Sequence, residues 1–201
     1  MRVLLVESEP GAADAADAAL RAAGHQVTGC QAADPSVPCR GLDHMADCPL
    51  DANDVDVAVV GRAGGPLTTM ERGALCASRR RIPVVVAGDP RQAVSFGPGT
   101  HLARTDVVAA CERAAASGDA HVAAVRRSLI IAGVLTVDDV DADPPRAAFR
   151  VRREPNRLRL VVATAPDEPR AAAITKAAAE ALRRFDPYTK VIDVVAETLP
   201  T

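Results

Sequence analysis

The amino-acid sequence predicts an α/β protein: a doubly wound parallel sheet followed by a small α+β module of β-β-α-β order. Three observations carry this expectation. Short apolar runs at residues 3–6, 55–60 and 82–87 show little polar alternation, the character of strands buried on both faces. Helix-forming segments separate these runs, which implies βαβ units joined by right-handed crossovers. Beyond residue 118 the rhythm changes to two adjacent strands, one long amphipathic helix and a last strand. The expected division is residues 1–118, with a cysteine-containing insert at 30–53, and residues 119–201.

Taken in order, Val-Leu-Leu-Val at 3–6 is the first strand, and the Ala-rich stretch 12–23 is a helix closed at Gly24, a good C-cap residue. Residues 26–30 form a short second strand. The stretch 31–53 is rich in Pro, Gly, Asp and Cys without a sustained period, so it reads as irregular. A third strand at 55–60, a helix at 68–80, a fourth strand at 82–87 and a helix at 106–116 complete the first part. Residues 121–127 continue or connect helices, and 129–137 suit a strand or a buried helix end. The acidic run 138–143 breaks on Pro144-Pro145 and reads as a loop or linker. Residues 148–152 and 157–162 form a hairpin around Glu154-Pro-Asn156. Pro166-Asp-Glu-Pro169 supplies a helix start with acidic residues in its first turn. The helix at 170–184 carries Ile174, Ala178, Ala181 and Leu182 on one side and ends on Arg183-Arg184, which suits its dipole. Residues 190–195 are the final strand.

Composition narrows the class. Hydrophobic residues make up 48% of the 201 and the net charge is −2 at pH 7, which excludes a disordered tail and a strongly basic nucleic-acid binder. Aromatic residues reach only 2%, with no Trp, so base stacking is poorly supported and a nucleic-acid partner is not expected. No apolar stretch approaches the roughly 18–20 residues of a membrane span. The run at 3–6 is also shorter than the apolar core of a secretory leader, about 7–15 residues. A cytoplasmic location without a membrane partner is the expectation, and five cysteines there read as free thiols, metal ligands or a redox device.

The opening Val-Leu-Leu-Val-Glu-Ser-Glu-Pro and the strand order after it resemble the receiver domains of response regulators over roughly residues 1–116. In that family an acidic pair follows the first strand, the phosphorylated Asp ends the third, a Ser or Thr ends the fourth and a Lys ends the fifth. Glu7 matches the first acidic position, and Ser8 departs from the second. Gly61 stands where the acceptor Asp belongs, Gly88 where the hydroxyl belongs, and Arg104, after His101-Leu-Ala, where the Lys belongs. Phosphoryl transfer needs a carboxylate nucleophile beside a divalent ion. Gly61 offers no side chain, and the permanently cationic Arg62 repels Mg²⁺. The resemblance therefore implies a pseudo-receiver, a regulatory protein acting through contact with a protein partner. Flavodoxin-like scaffolds of other function share the same order of elements.

The insert holds the remaining chemistry. Cys30, Cys39 and Cys48 are spaced C-x8-C-x8-C, with His44 between the last two and His25 upstream. A Cys₃His zinc site or an iron–sulfur cluster can be built from Cys30, Cys39, Cys48 and His44. A thiol–disulfide switch and plain burial of small hydrophobic side chains compete with it. Cys76 and Cys111 fall in helical segments and read as core residues. Gly61-Arg-Ala-Gly-Gly65 follows a strand and precedes a helix, so it is a permissive turn or an anion site using Arg62. Three readings result: a non-phosphorylatable regulator whose cysteines sense metal or redox state; a metal or iron–sulfur redox protein; and a small-molecule or nucleotide binder around Glu7, Gly61, Arg62, Gly88 and Asp89 at the strand ends. No pair of titratable groups is placed for acid–base work, so enzymatic activity is not expected.

Overall fold

The computed structural model of the chain describes residues 1–32, 34, 37–43, 48–51, 55–88, 94–97, 99–154 and 157–200. The chain divides into two compact units, Met1–Ala115 and Ala116–Thr201.

The first unit is a five-stranded parallel sheet. Its elements run β1 (Arg2–Glu7), α1 (Asp14–Ala22), β2 (Gln26–Gly29), α2 (Arg40–Asp43), β3 (Val57–Arg62), a 3₁₀ turn (Thr69–Glu71), α3 (Arg72–Arg79), β4 (Val84–Gly88), β5 (Thr100–Ala103) and α4 (Val107–Ala116). The strand order is β2-β1-β3-β4-β5, and each neighbouring pair is parallel. Every residue of β3 is buried, as expected of a central strand with both faces covered. The pleat sends Leu4, Val6, Ala58, Val60, Val84 and Val86 to one face, where Ala74 and Ala77 of α3 meet them. It sends Val3, Val57, Val59 and Val85 to the other, against Leu20 of α1 and Cys111 of α4. The unbroken apolar runs therefore serve two cores at once, and burying a side chain such as Leu20 contributes about 1.5–3 kcal/mol.

Residues between β2 and β3 complete the α3 face. Leu50 is buried there, and Cys39, Cys48 and Val55 pack partly buried against the same core. Only the four-residue α2 is regular among the described residues of this stretch.

The second unit pairs β6 (Ala147–Glu154) antiparallel with β7 (Arg157–Thr164), and β7 parallel with β8 (Val191–Thr198). The parallel step requires a crossover, supplied by α7 (Ala171–Phe185). Clean alternation places Phe149, Val151, Leu158, Leu160 and Val162 in a core with Val125 and Leu129 of α5 (Asp119–Ile131) and Ile174, Ala178 and Leu182 of α7. Arg150, Arg152, Arg157 and Arg159 take the exposed face.

Two local expectations change, and a third resolves to one of its two alternatives. The acidic run after Val137 is not a loop: α6 (Val137–Asp141) forms there behind a capping box in which Thr136 and Asp139 satisfy each other's backbone N–H groups. Residues 129–131 end α5, the buried helix end that the sequence allowed beside a strand. The 166–169 segment precedes α7 as a turn, with no acidic residue in the helix's first turn. Glu168 is buried there against Arg170, with Nε–Oε1 2.7 Å. Hydrogen bonding from Arg170 outweighs burial and holds the Glu168 carboxyl below the usual range.

Candidate functional site

The C-terminal ends of β1, β3 and β4 meet in the middle of the sheet. Register pairs Glu7 with Gly61, Gly61 with Ala87 and Arg62 with Gly88. Four residues read from the sequence as a degenerate receiver site, Glu7, Ser8, Gly61 and Gly88, thus stand in one row of strand ends. What each does there is structural.

Glu7 turns its carboxylate onto the chain entering α1, where Oε1 accepts the Ala13 N–H at 3.1 Å. Ser8 is buried and bonded in three directions. Its N–H donates to Gly61 O at 2.9 Å, its Oγ accepts the Ala63 N–H at 3.1 Å, and its carbonyl accepts the Thr68 hydroxyl at 2.9 Å. Gly61 is covered by the same turn. A Cβ built on it would stand 2.5 Å from both Cα and Cβ of Ala13 and 2.6 Å from Ala12 O. Space for a side chain at the acceptor position is filled by backbone. Gly88 has φ +139°, and a Cβ there would stand 2.4 Å from Arg62 O, so this strand end also requires glycine.

Arg62, expected as a ligand-binding cation, points inward. Only 5% of the residue is exposed, and its Nε lies 2.7 Å from Oε1 of Glu71, itself 1% exposed. That contact is an ion pair set off hydrogen-bonding alignment. Nη2 donates to Gly65 O at 2.8 Å. Glu71 also accepts the Thr68 N–H at 2.7 Å, closing a capping box at the 3₁₀ turn. Arg62 therefore ties the β3–α3 loop to the start of α3, and its guanidinium is committed to protein groups. The sequence signal for this lock is Thr68-x-x-Glu71, a capping-box spacing that the sequence reading passed over.

Arg104 follows β5 and is exposed; the register that pairs Ala87 with Ala103 brings it beside the Gly88 end of the row. Together with Gly88, Ala103, Asp106, Ala16 and Ala19 it lines a groove of about 400 Å³ beside α1. The Asp106 carboxylate accepts the Ala109 N–H at 3.0 Å and so opens α4.

The cysteines sort differently from the sequence expectation. Cys111 is fully buried in the α1–α4 core, where burial first and then Glu112 and Asp106 push its thiol up to about 12. Cys76 is not a core residue: it is exposed on α3, and partial burial, then Cys39 and Cys48, raise its thiol. Cys30 is buried, and Cys39 and Cys48 are half-buried. His44, the expected fourth ligand, and Asp89 lie outside the described residues.

In the second unit, His121 and Asp186 form a buried pair with Nε2–Oδ2 3.0 Å, and His121 meets Phe185 edge-on at 5.2 Å. Asp186 Oδ1 accepts the N–H groups of Tyr188 and Thr189, and Oδ2 accepts the Thr189 hydroxyl. The bonds from Asp186 to Tyr188 and Thr189 fasten the α7–β8 turn.

No helix among the described residues is long and apolar enough to cross a membrane. No protein-family model matches the chain, and no curated protein matches it.

Proposed function

We propose that the first unit is a receiver-like regulatory domain without aspartyl phosphorylation, acting through contact with a protein partner. The residues between β2 and β3 give it a response to metal or redox state. The observation that carries this reading is Gly61, at the end of the central strand with Ala12 and Ala13 occupying the volume of an acceptor side chain. The strand order β2-β1-β3-β4-β5 supports it, being the order of flavodoxin-like and receiver folds. So does the use of Glu7, Ser8 and Arg62 as internal bonding groups, which leaves no carboxylate cluster for Mg²⁺ among these positions. Such a domain keeps a rigid scaffold and signals by what it docks against.

The test is incubation of the full chain with acetyl phosphate and Mg²⁺, read by intact mass. The expected result is no phosphoryl adduct. Uptake of a phosphoryl group on any carboxylate of the strand ends would overturn the reading.

A further inference from the structure

Four of the five cysteines converge on the α3 side of the five-stranded sheet. Cys30 follows β2, its N–H donating to Leu5 O at 2.8 Å, and its carbonyl accepts the Arg40 N–H at 2.9 Å. That bond lays the chain immediately after Cys39 against Cys30. Cys48 packs on α2: a Cβ on Gly41 would stand 3.0 Å from Cys48 Cβ and 3.4 Å from its Sγ. From the other side, a Cβ on Gly73 in α3 would stand only 2.5 Å from Cys30 Sγ. Cys76 lies three residues further along α3, on the neighbouring position of the same helix face.

The thiols also sense one another. Burial pushes the Cys30 thiol up to about 12, and Cys39, Cys48 and Cys76 each add to the rise against an opposing Arg40. Partial burial, then Cys39 and Cys48, raise the Cys76 thiol, with Arg79 and Arg80 opposing. Burial as a small hydrophobe accounts for Cys30 and in part for Cys39 and Cys48, and not for the exposed Cys76. It does not explain four thiols reaching one neighbourhood from β2, from two points in an irregular stretch and from a helix surface.

We propose that Cys30, Cys39, Cys48 and Cys76 form one four-thiolate site for a thiophilic divalent cation of the zinc class, with Cys76 in place of His44 as the fourth donor. The inference deepens the metal response proposed above and rests on that part of it. Four cysteines meet the tetrahedral preference of Zn²⁺. The cation would replace the four thiol protons on binding. Gly73 fits this role, because a side chain there would occupy the space taken by the sulfur of Cys30. Among the described residues no group of three or more Cys, His, Asp or Glu already stands at ligating distance. Binding therefore draws the thiols inward, and the movement falls on Cys39 and Cys48, which belong to no strand.

Full-length protein purified without oxygen or chelator tests this by native mass spectrometry, elemental analysis and thiol titration. One zinc per chain is expected, with four thiols becoming reactive when it is stripped. Cys76→Ser should weaken binding by more than the roughly 10–100-fold typical of losing an outer-shell partner, while His44→Ala binds as the parent does. Because Cys76 is exposed, Cys76→Ser should keep its circular dichroism, and the Co²⁺-loaded spectrum then reports the lost thiolate directly. A chain that binds no metal in excess zinc would overturn the site. So would a Cys76→Ser protein with parental affinity and Co²⁺ spectrum, or purified protein carrying iron and sulfide. A phosphoryl adduct would sink the receiver reading and leave the zinc result standing; zinc-free protein without an adduct would do the reverse.

Discussion

Gly61→Ala adds one methyl group at the point where the receiver resemblance expects a carboxylate. That methyl would sit 2.5 Å from Cα and Cβ of Ala13 and 2.6 Å from Ala12 O, whereas carbon contacts settle near 3.5–4.0 Å. The turn entering α1 must retreat by about 1 Å to admit it. It is poorly placed to do so, since Ala13 is 1% exposed and its N–H is held by Glu7 at 3.1 Å. Overpacking typically costs about 1–3 kcal/mol. With backbone on the crowded side and no torsion in an alanine to relieve it, the upper end applies, about 3 kcal/mol. Gly61→Asp adds the desolvation of a carboxylate and should fail to restore a site. At a urea slope of about 1–3 kcal/mol per molar, a 3 kcal/mol loss moves the midpoint by about 1–3 M. The chain has no Trp and its one Tyr is Tyr188 in the second unit, so fluorescence is blind to the first. Hydrogen exchange at the β1 and β3 amides, with far-UV circular dichroism, is the suitable assay. A Gly61→Ala protein within about 0.5 kcal/mol of the parent, the range of an ordinary surface change, would refute the reasoning, as would a folded Gly61→Asp protein that binds Mg²⁺.

Two further predictions concern the buried pairs. Arg62→Met strands the Glu71 carboxylate and should cost about 3–5 kcal/mol, while Arg62→Met with Glu71→Leu recovers most of the loss; a denaturant-based double-mutant cycle checks this, and additive losses would contradict it. Burial pushes the Asp186 carboxyl up, but hydrogen bonds from His121 and Thr189 outweigh it and hold the group below its ordinary value. A lowered folded value means that its stabilisation is complete above the ordinary carboxylate value of about 3.9 and is lost as pH falls through the folded one. Asp186→Asn should therefore flatten the acid limb of stability below about pH 4, followed by emission of Tyr188, whose N–H bonds Asp186 at 3.1 Å; an unchanged limb would count against the assignment.

The parallel sheet was legible because its strands are buried on both faces, so hydrophobicity without alternation marked them and glycine or acidic residues marked their ends. The hairpin was legible for the opposite reason, since β6 and β7 alternate apolar and Arg positions. Signals resting on a single local bond were missed. Thr136 and Thr68 each open a short helical turn through a capping box, and in both cases proline or acidic neighbours masked the spacing. The fate of Arg62 was illegible because a cation after a strand looks identical whether it meets a ligand or a buried Glu71 nine residues on. Cys76 was hidden likewise: helical periodicity says which face a residue shares, and says nothing of thiols arriving from elsewhere in the chain.

These details bear on where a signal can enter the first unit. A phosphorylatable sheet end needs an open crest, with carboxylates free to take a cation and a loop free to respond. Here the crest is closed by its own chain. Glu7 is bonded to the α1 entry, Ser8 to the β3–α3 loop and Arg62 to the first residues of the α3 region, and the volume above Gly61 is filled by Ala13. These groups bond within the chain instead, to the α1 entry, the β3–α3 loop and Glu71. Under the proposed function, regulatory input would then act elsewhere in the unit. The thiols around α3 qualify. Cys76 sits on the helix whose N-cap residue, Glu71, anchors Arg62. An ion gathering Cys30, Cys39, Cys48 and Cys76 would thus act on the helix to which the closed crest is fastened.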